Sequence, residues 1–133
     1  MRPENRTFII SGGCSGLGLA TARDLHSAGA YVSLLDLNAD AGAEIVKELG
    51  KERAIFFETD VSETESIKKA VDGTAKWVQQ TGKQIGGVVA AAGVGSAAKV
   101  YYPGRVLWYT VYIANTSSRL LMVALETQYR FPQ

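Results

Sequence analysis

Ser11-Gly12-Gly13-Cys14-Ser15-Gly16-Leu17-Gly18 follows the apolar run Phe8-Ile9-Ile10 and leads straight into Leu19-Ala20-Thr21-Ala22-Arg23-Asp24-Leu25, a helix-forming stretch. Strand, glycine-rich turn and helix, in that order, is the context that makes such a loop informative. Gly12 can take backbone angles closed to other residues. Gly16 lets the main chain approach a ligand with no side chain between, and Gly18 lets the helix start lie close to the strand. The first N–H groups of the helix have no intrahelical partner and sit at the positive end of its dipole, so the turn suits a pyrophosphate. The same glycines would also serve a plain strand-to-helix connection. Gly18-Leu19-Ala20 stands where a Walker-type loop needs Gly-Lys-Ser or Gly-Lys-Thr, which argues against nucleoside triphosphate hydrolysis.

Outward from the turn, Thr7 to Ser11 reads as a short strand of the kind buried on both faces of a parallel sheet. Leu17, Ala20, Leu25 and Ala28 recur at helical spacing, and Gly29 supplies the stop. Tyr31 to Asp36 is a second buried strand, with its terminal acid 18 residues beyond Gly18. The dinucleotide fingerprint puts an acid about 20 residues on, where it accepts hydrogen bonds from the adenosine ribose hydroxyls; a phosphate there would be repelled. Asp36 could equally turn or cap the chain before Asn38-Ala39-Asp40, and one loop accommodates both roles.

Ala39 to Leu49 predicts a helix with Ala43, Val46 and Leu49 inward and Glu44, Lys47 and Glu48 solvated, closed by Gly50. Ala54 to Glu58 is a third strand. Thr59-Asp60-Val61 follows at its carboxyl end, where open α/β sheets collect ligand groups, making Asp60 and Val61 candidates for an adenine. Ser62-Glu63-Thr64-Glu65 has a capping-box pattern and opens a long helix through Ile67, Ala70, Val71, Ala75 and Val78 to Gly82. Ile85 to Gly93 is a fourth strand, of small residues that leave room for a ligand. Strands alternating with long crossovers predict an α/β fold, a Rossmann-like doubly wound parallel sheet in the order 3-2-1-4. Its switch point puts Gly12 to Gly18 and Ala90 to Gly95 on opposite sides of one crevice.

The composition sets bounds on this reading. A chain of 133 residues, 47% hydrophobic and 20% charged, suits one ordinary globular domain. Its net charge of +1, from 14 basic and 13 acidic residues, gives no electrostatic reason to expect nucleic acid or a membrane surface as partner. Met1 to Arg6 is polar and does not read as a signal peptide, and no run reaches the roughly 18 apolar residues of a membrane span. The single cysteine, Cys14, cannot form an internal disulfide, so a reducing compartment, cytoplasmic or mitochondrial, is expected. Cys14 reads as a small residue filling the turn, and His26 as solvated surface with no second ligand or nucleophile beside it.

The chain resembles a short-chain dehydrogenase/reductase. Ser11-Gly12-x-x-x-Gly16-Leu17-Gly18, Asp36, Asp60-Val61 and Ala90-Ala91-Ala92-Gly93 occur in that family's order and spacing. The wording of residues 11–22, of Leu34-Leu35-Asp36-Leu37 and of Ala92-Gly93-Val94 to Lys99 is similar to the type-2 3-hydroxyacyl-CoA dehydrogenases. The resemblance implies that Ser11, Gly12, Cys14, Ser15, Gly16, Leu17 and Gly18 hold a pyrophosphate and Asp36 an adenosine ribose, with Leu37 beside it. It implies Asp60 and Val61 at an adenine, and Ala90, Ala92 and Gly93 toward a nicotinamide. NAD is implied over NADP, since neither Ser15 nor Leu37 supplies the basic group a 2′-phosphate would want. Ala90 departs from the family's pattern, which has an asparagine at the head of this motif.

The resemblance covers residues 7 to about 100, giving an NAD-binding domain over 1–100 and a tail over 101–133 outside the family pattern. In the family, a catalytic serine and a Tyr-x-x-x-Lys pair follow. No lysine occurs after Lys99, and Tyr101 has only Arg105 at that spacing. Arginine is a poor substitute for the lysine. The domain therefore reads as truncated, with no catalytic residues, and an altered or mispredicted splice would produce such an ending. Arg105 to Ala114 reads as a strand and Ser117 to Arg130 as a helix, packed antiparallel or detached. The apolar run 105–114 should cover the free edge of the fourth strand or drive association into a homo-oligomer. Three functions stay open: an NAD-dependent oxidoreductase acting on a secondary alcohol or ketone, with a 3-hydroxyacyl-CoA as one candidate; a non-catalytic NAD-binding module; and a product without independent function.

Overall fold

The computed structural model describes residues 2–92 with their side chains, and residues 95–102 and 105–112 as backbone. β1 (Thr7–Ser11) is buried at every position and pairs in parallel on both edges, with β2 (Tyr31–Asp36) and β4 (Ile85–Ala90). β3 (Ala54–Glu58) adds in parallel to β2, which completes the order β3-β2-β1-β4. The helices α1 (Gly16–Ser27), α2 (Ala39–Leu49) and α3 (Thr64–Thr81) make the crossovers. This is the Rossmann-like doubly wound sheet expected from the alternation of strands and helices.

Period-two alternation divides the strand side chains between two cores. Phe8 and Ile10 join Val32, Leu34, Ala22 of α1 and Ile45 of α2 on one face, while Ile9 and Leu35 meet Ile67, Ala70 and Val71 of α3 on the other. The same division splits Phe56 from Phe57 on β3, and each ring is received by a helical glycine. A Cβ on Gly42 would run into the Phe56 ring, and one on Gly73 would lie 2.5 Å from Cε1 of Phe57. Hence the inward face of α2 is Gly42 and Ile45, with Val46 and Leu49 half-buried beside them, while Ala43 is exposed, contrary to the expected helix face. A buried hydroxyl pair, Ser33 and Thr74 at 2.7 Å, ties β2 to α3. Thr74 donates to the carbonyl of Ala70, which leaves Ser33 to donate to Thr74.

The expected capping box at the start of α3 does not form. The helix begins at Thr64, and both the N–H and the hydroxyl of Ser62 donate to Oδ1 of Asp60, at 2.9 and 2.6 Å. Ser62 therefore stands one residue before the N-cap, which is Glu63. β4 is half-buried from Ile85 to Val89 and ends at an exposed Ala90, short of Gly93, which lies outside the described residues.

β5 (Gly95–Tyr102) and β6 (Arg105–Tyr112) form an antiparallel pair, a two-stranded sheet of their own. The expected strand from Arg105 is β6, but its hydrogen-bond partner is β5, so it does not extend the main sheet beyond β4. Gly95-Ser96-Ala97-Ala98 lacks the apolar alternation that would have signalled a strand. The division expected after residue 100 falls inside β5, and the helix read over 117–130 lies outside the described residues.

His26 departs from its reading as solvated surface. It is half-buried near the end of α1, and its Nε2 is buried with no hydrogen-bond partner among the described residues. The Arg53 guanidinium donates to the carbonyls of His26 (2.9 Å) and Ala30 (3.3 Å), placing a cation at the negative end of that helix. Burial first, and the Arg53 charge second, push the His26 pKa below its ordinary 6.5. The unfolded chain therefore takes up this proton before the folded one. The stability it contributes is complete above the unfolded value and is lost as pH falls through it toward the lowered folded one. The urea midpoint should drop between pH 7 and pH 5, and His26→Gln should shrink that drop; superimposable pH profiles for the two chains would refute the assignment.

Candidate functional site

The carboxyl ends of the four strands surround a cavity of about 350 Å³, within the range of small-molecule sites. Gly12, Ser15, Gly16 and Leu17 line it from the turn and the start of α1. Leu35, Asp36 and Leu37 come from the end of β2, Thr59 and Val61 from beyond β3, and Ala91 and Ala92 from beyond β4. The crevice lies where the chain winds away in opposite directions from β1, the position at which open α/β sheets bind ligands.

The glycines of the turn do separate jobs. Gly12 has φ +67°, and a Cβ there would lie 2.8 Å from the Ala92 nitrogen, so the turn rests directly on the end of β4. A Cβ on Gly18 would collide with the Gly12 carbonyl oxygen, so this glycine lets α1 start against the turn. Gly16, at φ +53°, has nothing within 4 Å of its Cβ position, so its open side adjoins the cavity it lines. Ser15 occupies the N-cap of α1 but makes no side-chain cap bond, which leaves the first N–H groups of that helix for another acceptor. The start of α2, by contrast, is satisfied internally: Oδ1 of Asn38 accepts from the Ala41 N–H at 3.0 Å. The α1 end is thus open to an anion.

Asp36 is held by the backbone. Its Oδ2 accepts from the Cys14 N–H at 3.1 Å and its Oδ1 from the Asn38 N–H at 3.1 Å. Each carboxylate oxygen keeps a further acceptor site. No lysine or arginine lines the cavity among the described residues. Cys14 itself is buried in the core, and burial, then the Asp36 charge, push its thiol up to about 11. It is an unreactive filler whose contribution to the site is its N–H group.

Of the residues singled out from sequence, Gly12, Ser15, Gly16, Leu17, Asp36, Leu37, Val61 and Ala92 line the cavity. Ser11, Cys14, Gly18, Asp60 and Ala90 do not, and Gly93 is outside the described residues. Ser11 is buried, and its carbonyl and hydroxyl oxygens accept from the N–H groups of Ala91 (3.1 Å) and Ala92 (3.4 Å), tying β1 to the end of β4. The Asp60 carboxylate is occupied by Ser62, whose hydrogen bonds hold its pKa below the usual range. Thr59 and Ala91, within the stretches expected at the strand ends but given no role of their own, also line the cavity, as does Leu35, which the sequence pattern left out although it neighbours Asp36.

The sequence model of a family described as short chain dehydrogenase matches residues 6–129. The chain belongs to the short-chain dehydrogenase family. Members typically use NAD or NADP, and the family is one of oxidoreductases. The match runs through most of the stretch read as lying outside the family pattern. The chain is 37% identical over 73 residues to (+)-cis,cis-nepetalactol synthase of Nepeta racemosa, covering 54% of this chain and 27% of that protein. It is 41% identical over 73 residues to 3-hydroxyacyl-CoA dehydrogenase type-2 of Drosophila melanogaster, covering 55% and 28%. It thus matches less than a third of the length of these curated relatives. A solved short-chain type dehydrogenase/reductase from Mycobacterium ulcerans superposes with a TM-score of 0.73 at 27% identity, over 92% of this chain and 46% of that one. No helix among the described residues is long and apolar enough to cross a membrane.

Because Gly12 is pressed against backbone and Gly16 faces open space, their substitutions should separate. Gly16→Ala should lower stability by about 1 kcal/mol, the strain of a left-handed backbone. Gly12→Ala adds a clash with main chain to the same strain and should lower the melting temperature clearly further. Equal losses in thermal unfolding would contradict this division of roles.

Proposed function

We propose that the cavity binds NAD, with Asp36 accepting from the adenosine ribose hydroxyls and the uncapped start of α1 receiving the pyrophosphate. The observation that carries this reading is the Asp36 carboxylate, fixed by two N–H groups in a cavity that no lysine or arginine lines among the described residues. A 2′-phosphate would meet like charge there with no compensating cation among the described residues, which favours NAD over NADP. The residues present fit the cofactor: open space over Gly16 admits a ligand close to the main chain, and Val61, Leu37 and Leu17 offer apolar surface along the same cavity. Asp60 serves this reading by shaping the turn after β3. Ala90 and Ser11 serve it by holding the end of β4 against β1.

When bound, the cofactor would accept a hydride in the oxidation of a secondary alcohol, or return it in the reverse reduction of a ketone, for which a 3-hydroxyacyl thioester is the candidate class. Moving the alcohol proton needs a positioned acid or base, a contribution of about 10²–10⁴-fold. No lysine follows Lys99, so no tyrosine of the tail has a lysine four residues on to lower its pKa. The part of the function proposed for residues 1–133 is therefore cofactor binding, with no such tyrosine–lysine pair among them.

Titration of the purified chain with NAD and NADP, joined to an NADH-production assay with 3-hydroxyacyl thioesters and simple secondary alcohols, tests both parts. NAD should bind at least about tenfold tighter than NADP, with no NADH formed above background. Equal affinities would overturn the cofactor assignment. Turnover lost in a Tyr101→Phe, Tyr102→Phe double variant would overturn the non-catalytic part.

A further inference from the structure

We propose that Asp36 is also a positioning residue, whose carboxylate holds the glycine-rich turn in the shape that receives a pyrophosphate; the proposal rests on the nucleotide-binding reading above. Between the end of β1 and the start of α1, the turn has flexible glycines at Gly12 and Gly16, both at positive φ. It is anchored at its start by the Gly12 N–H on the Leu35 carbonyl at 2.8 Å, and at its far end by the Leu19 N–H on the Ser15 carbonyl at 3.1 Å. Midway between these anchors, the Cys14 N–H reaches the Asp36 carboxylate. The other carboxylate oxygen takes the N–H of Asn38, the residue that caps α2. One ionised side chain therefore fixes the entries of two helices.

Without that carboxylate the Cys14 N–H, part-buried in the turn, loses its acceptor. A buried donor left unsatisfied is unfavourable, so the turn must shift to find another, taking the exposed N–H groups at the start of α1 with it. A residue that only bonded ribose would matter only to ligands carrying ribose hydroxyls. A residue that also shapes the turn matters to any ligand that places a pyrophosphate there.

The test measures ADP and 2′,3′-dideoxy-ADP binding to the full chain by calorimetry. The unmutated chain should bind ADP more tightly, by the ribose bonds. Asp36→Ala should weaken dideoxy-ADP as well, by about tenfold, and Asp36→Asn, which keeps one acceptor oxygen, should recover part of that loss. In the unmutated chain, the Cys14 and Asn38 amides should both be protected from hydrogen exchange by their bonds to the Asp36 carboxylate, a readout that needs no variant to fold. The proposal is overturned if Asp36→Ala leaves dideoxy-ADP affinity unchanged while bringing ADP down to it. It is also overturned if the Cys14 amide exchanges without protection. An unmutated chain that binds neither nucleotide overturns the nucleotide reading and, with it, the turn's role toward pyrophosphate; that result is distinct from a loss confined to the variants.

Discussion

Everything in this fold depends on β1 being covered on both faces and paired on both edges. Phe8, Ile9 and Ile10 are consecutive apolar residues with 6% exposure or less, so successive side chains must find cores on opposite sides of the sheet. α1 and α2 supply one core and α3 the other, which the chain achieves by winding one way from β1 to β3 and the other way to β4. The crevice follows from that requirement. Where α1 leaves β1 on one face of the sheet and α3 approaches β4 from the other, the strand ends are left uncovered, and the loops that meet there form the cavity.

The cavity combines two electrostatic elements of opposite sign. The start of α1 presents unsatisfied N–H groups and roughly half a positive charge, while Asp36 presents a full negative charge held by backbone donors. A dinucleotide carries an anionic pyrophosphate and a neutral, hydroxyl-bearing ribose, so it matches both signs in one ligand. Leu17 and Leu37, 85% and 60% exposed, are the large apolar side chains left on the surface of the described residues, and both line the cavity. Exposed leucines at the mouth of a cleft suit flat, partly apolar rings.

Much of this was legible in the sequence because the signals were local. The bounds of β1, β2, α2 and β3 follow from apolar runs closed by glycine or by charged residues, and the 18-residue spacing from Gly18 to Asp36 placed the acid at the cavity. The errors lie where a tertiary contact overrode a local preference. Gly42 faces inward instead of Ala43 because Phe56 needs the space. His26 stands on a polar helix face yet is half-buried, with Arg53 reaching across to the carbonyls around it. The bond from Cys14 to Asp36 spans 22 residues and involves a backbone donor, which no residue pattern records. β5 was illegible because small residues carry no periodic signal.

The central claim is that the crevice above β1 is where this chain holds a nicotinamide dinucleotide. Amide resonances followed through a titration with NAD test it most directly, since they report position as well as binding. The account predicts that the resonances of Gly12 to Leu17, Asp36, Leu37, Thr59 and Val61 move, while those of Thr7, Tyr31 and Lys83 at the opposite end of the strands stay in place. Shifts confined to the opposite end, or none at saturating NAD, would contradict it.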